Sequence, residues 1–97
     1  MKLKWSLHAQ SDRNRIYDYL DAESPRAAIL VDERIANAIA VLKKFPEIGR
    51  PGRIAGTREL VIHRTPYLAA YLIAADTVRI LRLLHGAQIW PESMPNR

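Results

Sequence analysis

One run of eight residues, Tyr67–Ala74, is apolar on both of its alternating faces (YLAAYLIA). A strand with two apolar faces favours the middle of a sheet, where both faces are covered. Residues 58–64 (RELVIHR) and 78–85 (VRILRLLH) flank this run, and each shows the alternation of a strand. Because short turns separate the three runs, the C-terminal half of the chain is predicted to form consecutive strands of one antiparallel-rich sheet.

The N-terminal half has a different periodicity. Residues 1–6 alternate like a short strand, whereas residues 9–21 and 25–44 carry apolar side chains at the spacing of amphipathic helices. Ser24 followed by Pro25 marks the start of the second helix, because serine is a good N-cap and proline suits the first helical position. Two helices joined so closely should fold back as an antiparallel pair.

The predicted order is therefore β-α-α-β-β-β, an α+β domain with the helix pair on one face of the sheet. The first strand must pair within that sheet, because an isolated two-stranded unit is only marginally stable. Residues 46–57 hold three of the four glycines and are predicted to form a loop. We expect one domain, residues 1–97, in which residues 86–97 form a C-terminal tail that carries Trp90.

The composition narrows the class of protein. Hydrophobic residues make up 48% of the chain and charged residues 26%, which is typical of soluble globular proteins and excludes disordered, collagen-like and coiled-coil chains. The longest apolar stretch, residues 67–75, is far shorter than the roughly 20 residues of a bilayer span. No secretory signal is visible, and the absence of cysteine excludes disulfides and thiolate metal sites. We expect a cytoplasmic protein with no cofactor, no metal and no membrane partner.

The basic charge of the chain is unevenly distributed. The net charge is +5, and arginine supplies most of the cations. Residues 49–64 hold one acid, Glu59, and four arginines: Arg50, Arg53, Arg58 and Arg64. Such a segment predicts a polyanionic partner, either nucleic acid or an acidic protein. The alternative, which charge alone leaves open, is a highly soluble protein without such a partner.

His85, at the end of the last predicted strand, is the candidate for chemistry. A histidine can exchange a proton near neutral pH, and neighbouring arginines such as Arg82 could hold a phosphate during metal-free RNA cleavage. Strand alternation opposes this interpretation, because Arg82 and His85 are three residues apart and should point to opposite faces of the strand. Leu81, Leu83 and His85 should instead share one face. A bulge or the Gly86 turn would be needed to bring Arg82 and His85 together. A structural hydrogen bond to a turn is the alternative role of His85.

Other candidate sites are weaker. The three histidines are too dispersed to predict a metal site, and no phosphate-binding glycine motif is present. Asp12, Asp18 and Asp21 of the first helix are interpreted as a solvated face.

The chain resembles the RelE/ParE superfamily of type II toxin–antitoxin toxins. The resemblance covers residues 5–91 and is carried by the segments SPRAA, FPEIGRPG, GTRELVIHRTPYLAAYLI and VRILRLLHGAQIWP. It implies a microbial-ribonuclease-like fold and a growth-inhibiting toxin that an antitoxin, encoded by the neighbouring gene, silences. His85 matches the position of a catalytic histidine in several mRNA-cutting members. Leu68 stands where RelE has an essential arginine, and Ala87 and Gln88 stand where RelE has another arginine. No tyrosine follows Tyr71, so the resemblance favours ParE-like members, which poison DNA gyrase.

Three functions follow as hypotheses. The favoured one is a gyrase inhibitor that engages its target through Arg50, Arg53, Arg58 and Arg64. The second is a ribosome-dependent mRNA endoribonuclease that uses His85 as acid or base, with phosphate ligands from Arg58, Arg64 and Arg82. The third is a non-toxic nucleic-acid-binding domain. For both toxin hypotheses we expect an acidic antitoxin as the partner. It should bind through an amphipathic helix and a strand that extends the sheet. Operator DNA should be bound by the antitoxin alone.

Overall fold

Two long helices and five strands make up the described part of the chain. A computed structural model describes residues 1–87, so Trp90 and residues 88–97 of the predicted tail lie outside the described residues. The elements are β1 (Lys2–Trp5), α1 (Leu7–Glu23), α2 (Pro25–Ala40), β2 (Arg50–Pro51), β3 (Arg58–Val61), β4 (Tyr67–Ala74) and β5 (Thr77–His85), with a 3-10 turn at Val41–Lys43. The predicted α+β order is confirmed. The predicted loop differs, because it contains the short strand β2, which pairs with the start of β3.

Serine caps define the helix pair. The Ser6 hydroxyl accepts a hydrogen bond from the Ala9 N–H at 3.0 Å, so α1 begins two residues earlier than the spacing predicts. Ser24 ends α1 and starts α2: its N–H donates to the Leu20 carbonyl, and its hydroxyl accepts from the Ala27 N–H. The turn predicted at Ser24 is therefore confirmed.

The sheet has the order β1-β5-β4-β3-β2, in which β1 runs parallel to β5 and the other pairs are antiparallel. The strand with two apolar faces, β4, lies in the middle of this sheet, and residues 67–71 are all buried. The first strand pairs within the same sheet, as predicted. At the opposite edge lies β2.

A β-bulge in β5 changes which side chains face the helices. Ala70 pairs with Arg82 and Tyr71 with Ile80, so Leu81 is an extra residue without a partner on β4. Ile80 and Leu83 consequently belong to the same core cluster. The prediction that Leu81 and Leu83 share one face of the strand is wrong. It assumed regular alternation, and the extra residue at Leu81 interrupts that alternation.

The third predicted strand ends early, at Val61. Arg64 has a positive φ of 63°, and the Ile62 N–H donates to the Tyr67 carbonyl, so residues 62–66 form the turn into β4. The hydrophobic core lies between the helix pair and the sheet. It consists of Ala9, Ile35, Ile39, Leu42, Ile62, Tyr67, Ala69, Tyr71, Val78, Ile80 and Leu83.

Candidate functional site

Residues 50–59, which run from β2 into β3 and are called the basic hairpin, are attached to the core at their base. The fully buried Tyr71 hydroxyl donates to the Pro46 carbonyl at 2.7 Å and accepts from the Gly49 N–H at 2.9 Å. A Cβ atom at Gly49 would overlap the Tyr71 ring, so only glycine fits there. Burial raises the pKa of Tyr71, which keeps the hydroxyl protonated and able to donate.

Glu59 lies at the centre of the basic hairpin. Its side chain is 3% exposed, and its two oxygens accept four hydrogen bonds. Oε1 accepts from Nε and Nη2 of Arg50 at 3.2 and 2.9 Å, and Oε2 accepts from the backbone N–H and Nε of Arg53 at 2.8 and 3.3 Å. Burial acts to raise the pKa of Glu59, but these hydrogen bonds outweigh it and hold the pKa below its usual value. The carboxylate is therefore charged near neutral pH.

The two arginines bound to Glu59 stay accessible. The side chain of Arg50 is 56% exposed and that of Arg53 is 49% exposed. Glu59 pairs with Ala70 of β4, whereas the next residue, Leu60, packs against the core. Strand alternation therefore places the cluster of Glu59, Arg50 and Arg53, called the Glu59 cluster, on the sheet face opposite the helix pair.

The turn of the basic hairpin is closed by its own backbone. The Gly52 N–H donates to the Thr57 carbonyl at 2.7 Å, and the Thr57 hydroxyl donates to the Ile54 carbonyl at 2.6 Å. A Cβ atom at Gly52 would collide with Thr57. The tip residues Ala55 and Gly56 are exposed and small, so another backbone could approach them closely.

The four predicted target-binding arginines do not form one patch. Arg58 donates from Nη1 to the carbonyls of Glu47 and Gly49, at 3.2 and 2.9 Å, and so ties the hairpin to the preceding loop. Arg64 lies in the β3–β4 turn, beyond the other end of β3, where its carbonyl accepts a hydrogen bond from Arg34. The structure thus brings Arg50, Arg53 and Arg58 together and leaves Arg64 apart.

Arg82 has its partner in α1. Its Nε and Nη2 donate to the two carboxylate oxygens of Asp12 at 2.7 and 3.1 Å, and Asp12 also accepts from the Leu83 N–H at 3.0 Å. The side chains of Arg82 and Asp12 are 19% and 9% exposed. β1 ends opposite Ile80, and beyond it the β5 backbone is bonded by side chains, the Leu81 carbonyl by the Ser6 hydroxyl and the Leu83 N–H by Asp12. The prediction that Asp12 is solvated is wrong for this reason.

His85 and Arg82 line one cleft of about 270 Å³ between α1 and β5. The bulge at Leu81 precedes both residues and leaves the spacing between them unchanged, and the Arg82 side chain lines this cleft at the edge of the sheet, where it binds Asp12. The His85 ring packs edge-on against Tyr67, with ring centroids 5.6 Å apart. Its Nδ1 accepts a hydrogen bond from the Ala87 N–H, which assigns the proton of the neutral ring to Nε2. This hydrogen bond supports the alternative prediction, in which His85 has a structural role at the Gly86 turn.

The sequence reasoning missed one functional candidate, Glu59, and one buried acid that holds the fold together, Asp12. Asp12 follows Ala9 by three residues and precedes Ile16 by four, so it lies on the apolar stripe of α1, and that spacing was a usable signal. Glu59 alternates with Leu60 and Ile62, so the sequence pattern places it on the other face of the strand from these apolar residues. Its burial depends on the fold of residues 50–53, for which the sequence carries no comparable signal.

The outer face of α2 carries an exposed apolar patch. Ile29 and Leu30 are each about half exposed, and Arg26 and Glu33 flank them in a shallow depression of about 440 Å³. Exposed neighbouring aliphatic side chains of this kind are typical of interaction surfaces. Within residues 1–87, neither helix is long and apolar enough to cross a membrane, and no group of three or more histidine, aspartate or glutamate residues could hold a metal ion.

Comparison with known proteins decides the family. Residues 3–90 match the family described as the ParE toxin of the type II toxin–antitoxin system parDE. The chain belongs to the ParE toxin family. It is therefore a type II toxin, and a toxin of this type has an antitoxin as its partner.

Two relatives and one solved structure agree with this assignment. The chain is 41% identical over 91 residues to Y4kP of Sinorhizobium fredii, whose name describes a toxin, and the match covers 94% of each chain. It is 36% identical over 85 residues to Toxin RelE2 of Caulobacter vibrioides, covering 88% of this chain and 94% of the relative. A chain from the chromosomal ParDE toxin–antitoxin system of P. aeruginosa superposes with a TM-score of 0.79 at 30% identity, covering 88% of this chain and 95% of the other.

Proposed function

We propose that this ParE-family toxin inhibits DNA gyrase and that the basic hairpin is its contact with the gyrase–DNA complex. The observation that carries this proposal is the Glu59 cluster, in which a buried carboxylate binds the guanidinium groups of two arginines whose side chains are about half exposed. Guanidinium groups fixed before binding lose little freedom when a partner arrives. The net charge of +5 adds a long-range attraction to a polyanionic target, which salt should weaken.

The antitoxin is proposed to bind through the exposed patch on α2. Ile29 and Leu30 offer the apolar contact that an amphipathic helix requires, and the basic charge of the toxin favours an acidic partner. The outer edge of β1 offers a place where an antitoxin strand could extend the sheet, since β5 occupies its inner edge. The name of the P. aeruginosa structure, a ParDE system, supports a ParD-like antitoxin as this partner.

A ribosome-dependent endoribonuclease is the second candidate, because His85, Arg15 and Tyr67 share one cleft and one relative is named RelE2. Two contacts weigh against it. The Nδ1 atom of His85 accepts a hydrogen bond from the Ala87 N–H, so this nitrogen is engaged in the turn rather than available as a base for a 2′-hydroxyl. The Nε and Nη2 atoms of Arg82 are bound to Asp12 rather than available to a phosphate.

Expression of the chain without its antitoxin in a bacterial host tests the proposal. We expect growth arrest together with loss of negative supercoiling in a reporter plasmid and accumulation of cleaved DNA, while mRNA stays intact. The variant His85→Ala should remain toxic. Truncated mRNA within minutes of induction, lost in His85→Ala, would instead establish the endoribonuclease. Normal growth with abundant folded toxin would contradict both functions.

A further inference from the structure

The Glu59 cluster orients one edge of the Arg50 guanidinium outwards. Arginine has five N–H donors, and Arg50 directs Nε–H and one Nη2–H towards Glu59. Three donors of Arg50 are then left for a partner, on a side chain that is 56% exposed. Arg53 lies on the other oxygen of the same carboxylate, through both its backbone and its side chain. The two guanidinium groups are thus held side by side at fixed positions.

Glu59 has an apparent disadvantage on this surface. A carboxylate lowers the positive charge of a surface that attracts a polyanion, so Glu59 weakens long-range attraction. Its four hydrogen bonds fix the directions of both guanidinium groups instead. The hairpin thus gives up part of its positive charge and gains fixed orientations of the two guanidinium groups. Such an exchange is expected where planar groups must meet a ligand in a defined orientation.

The composition of the basic hairpin favours nucleic acid over protein as the ligand. The energetic centres of protein interfaces are enriched in tryptophan and tyrosine as well as arginine, and they lie in well-packed, desolvated pockets. Residues 50–59 (RPGRIAGTRE) contain no aromatic residue, and their one large aliphatic side chain, Ile54, is not among the exposed ones. Arginines beside a small, close-approaching tip at Ala55 and Gly56 are instead typical of contacts to a phosphate backbone.

We infer that the basic hairpin binds backbone phosphates of duplex DNA, with Arg50 and Arg53 as phosphate ligands and Glu59 as their positioning residue. The inference rests on the proposed function, because it names what the hairpin would hold in the gyrase–DNA complex. Phosphate contacts carry no base sequence information, so recognition of operator DNA stays with the antitoxin.

The test is the affinity of the full-length toxin for a short fluorescein-labelled DNA duplex, measured by fluorescence anisotropy at several salt concentrations. Arg50→Lys keeps the charge but loses the planar fork, and we expect it to weaken binding about 3- to 10-fold. Arg50→Ala should also lower the slope of log affinity against log salt by about 0.9. No binding by the parent, or unchanged binding by Arg50→Lys, would overturn the inference.

The decisive variant is Glu59→Gln, since total charge and geometry predict opposite signs for it. It adds one positive charge, so attraction alone would tighten DNA binding, as we expect for the matched control Glu23→Gln at an exposed position. If Glu59 positions the arginines, Glu59→Gln binds about 3- to 10-fold more weakly. The Nε–H resonances of Arg50 and Arg53 in an NMR spectrum should change in Glu59→Gln and stay unchanged in Glu23→Gln. Tighter binding by both variants would overturn the positioning role.

Gyrase inhibition by the same variants separates this inference from the proposed function. A toxin that binds the duplex through Arg50 but leaves gyrase active would refute the proposed function and support the inference. A toxin that inhibits gyrase but does not bind the duplex would support the function and refute the inference.

Discussion

Two arginine–carboxylate clusters lie in different parts of the molecule, and they differ in what their arginines leave exposed. At the α1–β5 edge, Asp12 and Arg82 are both largely covered, and Asp12 also accepts from the backbone of β5. In the basic hairpin, Glu59 is more deeply buried than Asp12, yet Arg50 and Arg53 are about half exposed. Burial of the acid is therefore common to both clusters, whereas exposure of the cation separates them.

This difference distinguishes a structural ion pair from a binding surface. The Asp12–Arg82 pair replaces missing strand contacts, so its effect should appear mainly in the stability of the fold. The Glu59 cluster presents oriented cations to solvent, so its effect should appear mainly in binding. Each of the following variants tests one side of this contrast.

The largest effect on stability is expected for Asp12→Ala. The substitution leaves Arg82 and the Leu83 N–H without their acceptor, which should cost about 2–4 kcal/mol of unfolding free energy. The melting temperature should fall by about 8 °C or more. Asp18→Ala, an exposed position on the same helix, is the control and should change stability by less than about 0.5 kcal/mol. Equal melting temperatures of the two variants would contradict the structural role of Asp12.

A smaller loss is expected for Tyr71→Phe, which tests whether the base of the basic hairpin is attached to the core. The variant removes the acceptor of the Gly49 N–H and the donor to Pro46, at a cost of about 1–2 kcal/mol. Hydrogen exchange of the Gly49 amide should accelerate more than exchange of amides in α1. Uniform acceleration throughout the chain would show that Tyr71 does not anchor the hairpin specifically.

The pH dependence of stability provides a third comparison. Because the pKa of Glu59 is lowered in the folded protein, its contribution is present above the ordinary glutamate pKa of about 4.3 and is lost as the pH falls through the lowered value. Asp32, whose pKa is lowered mainly by its hydrogen bond with Arg13, contributes with the same sign. Urea unfolding at successively lower pH should show a shallower loss for Glu59→Gln than for the parent. Parallel curves would contradict the lowered pKa.

The smallest effect on stability is expected for Arg50→Ala. Its side chain is more than half exposed, and Arg53 still donates to Glu59, so the loss should stay below about 1 kcal/mol. Urea unfolding at neutral pH measures it. A loss as large as that of Asp12→Ala would remove the distinction between the two clusters.

The sequence allowed much of the fold to be predicted, because the relevant signals are local. The two apolar faces of β4 and the Ser24–Pro25 cap each lie within a few residues, and both predictions are confirmed. The bulge at Leu81 and the strand β2 could not be predicted, since each depends on pairing with a distant segment.

The candidate site was predicted less completely than the fold. Arg50, Arg53 and Arg58 were identified from local charge, and the structure places them together. The role of Glu59 depends on residues 50–53 folding over its side chain. The position of Arg64, apart from the other three arginines, depends on where β3 ends. Both are tertiary properties that alternation along a strand does not encode.

The most direct test of the central claim is inhibition of purified DNA gyrase in a supercoiling assay. The parent toxin, the double variant Arg50→Ala with Arg53→Ala, and the charge-matched control Lys43→Ala with Lys44→Ala should be compared at equal folded concentration. We expect the parent and the lysine variant to inhibit similarly, and the arginine variant to need at least about tenfold more protein. Equal inhibition by all three would contradict the claim that the basic hairpin carries the target contact.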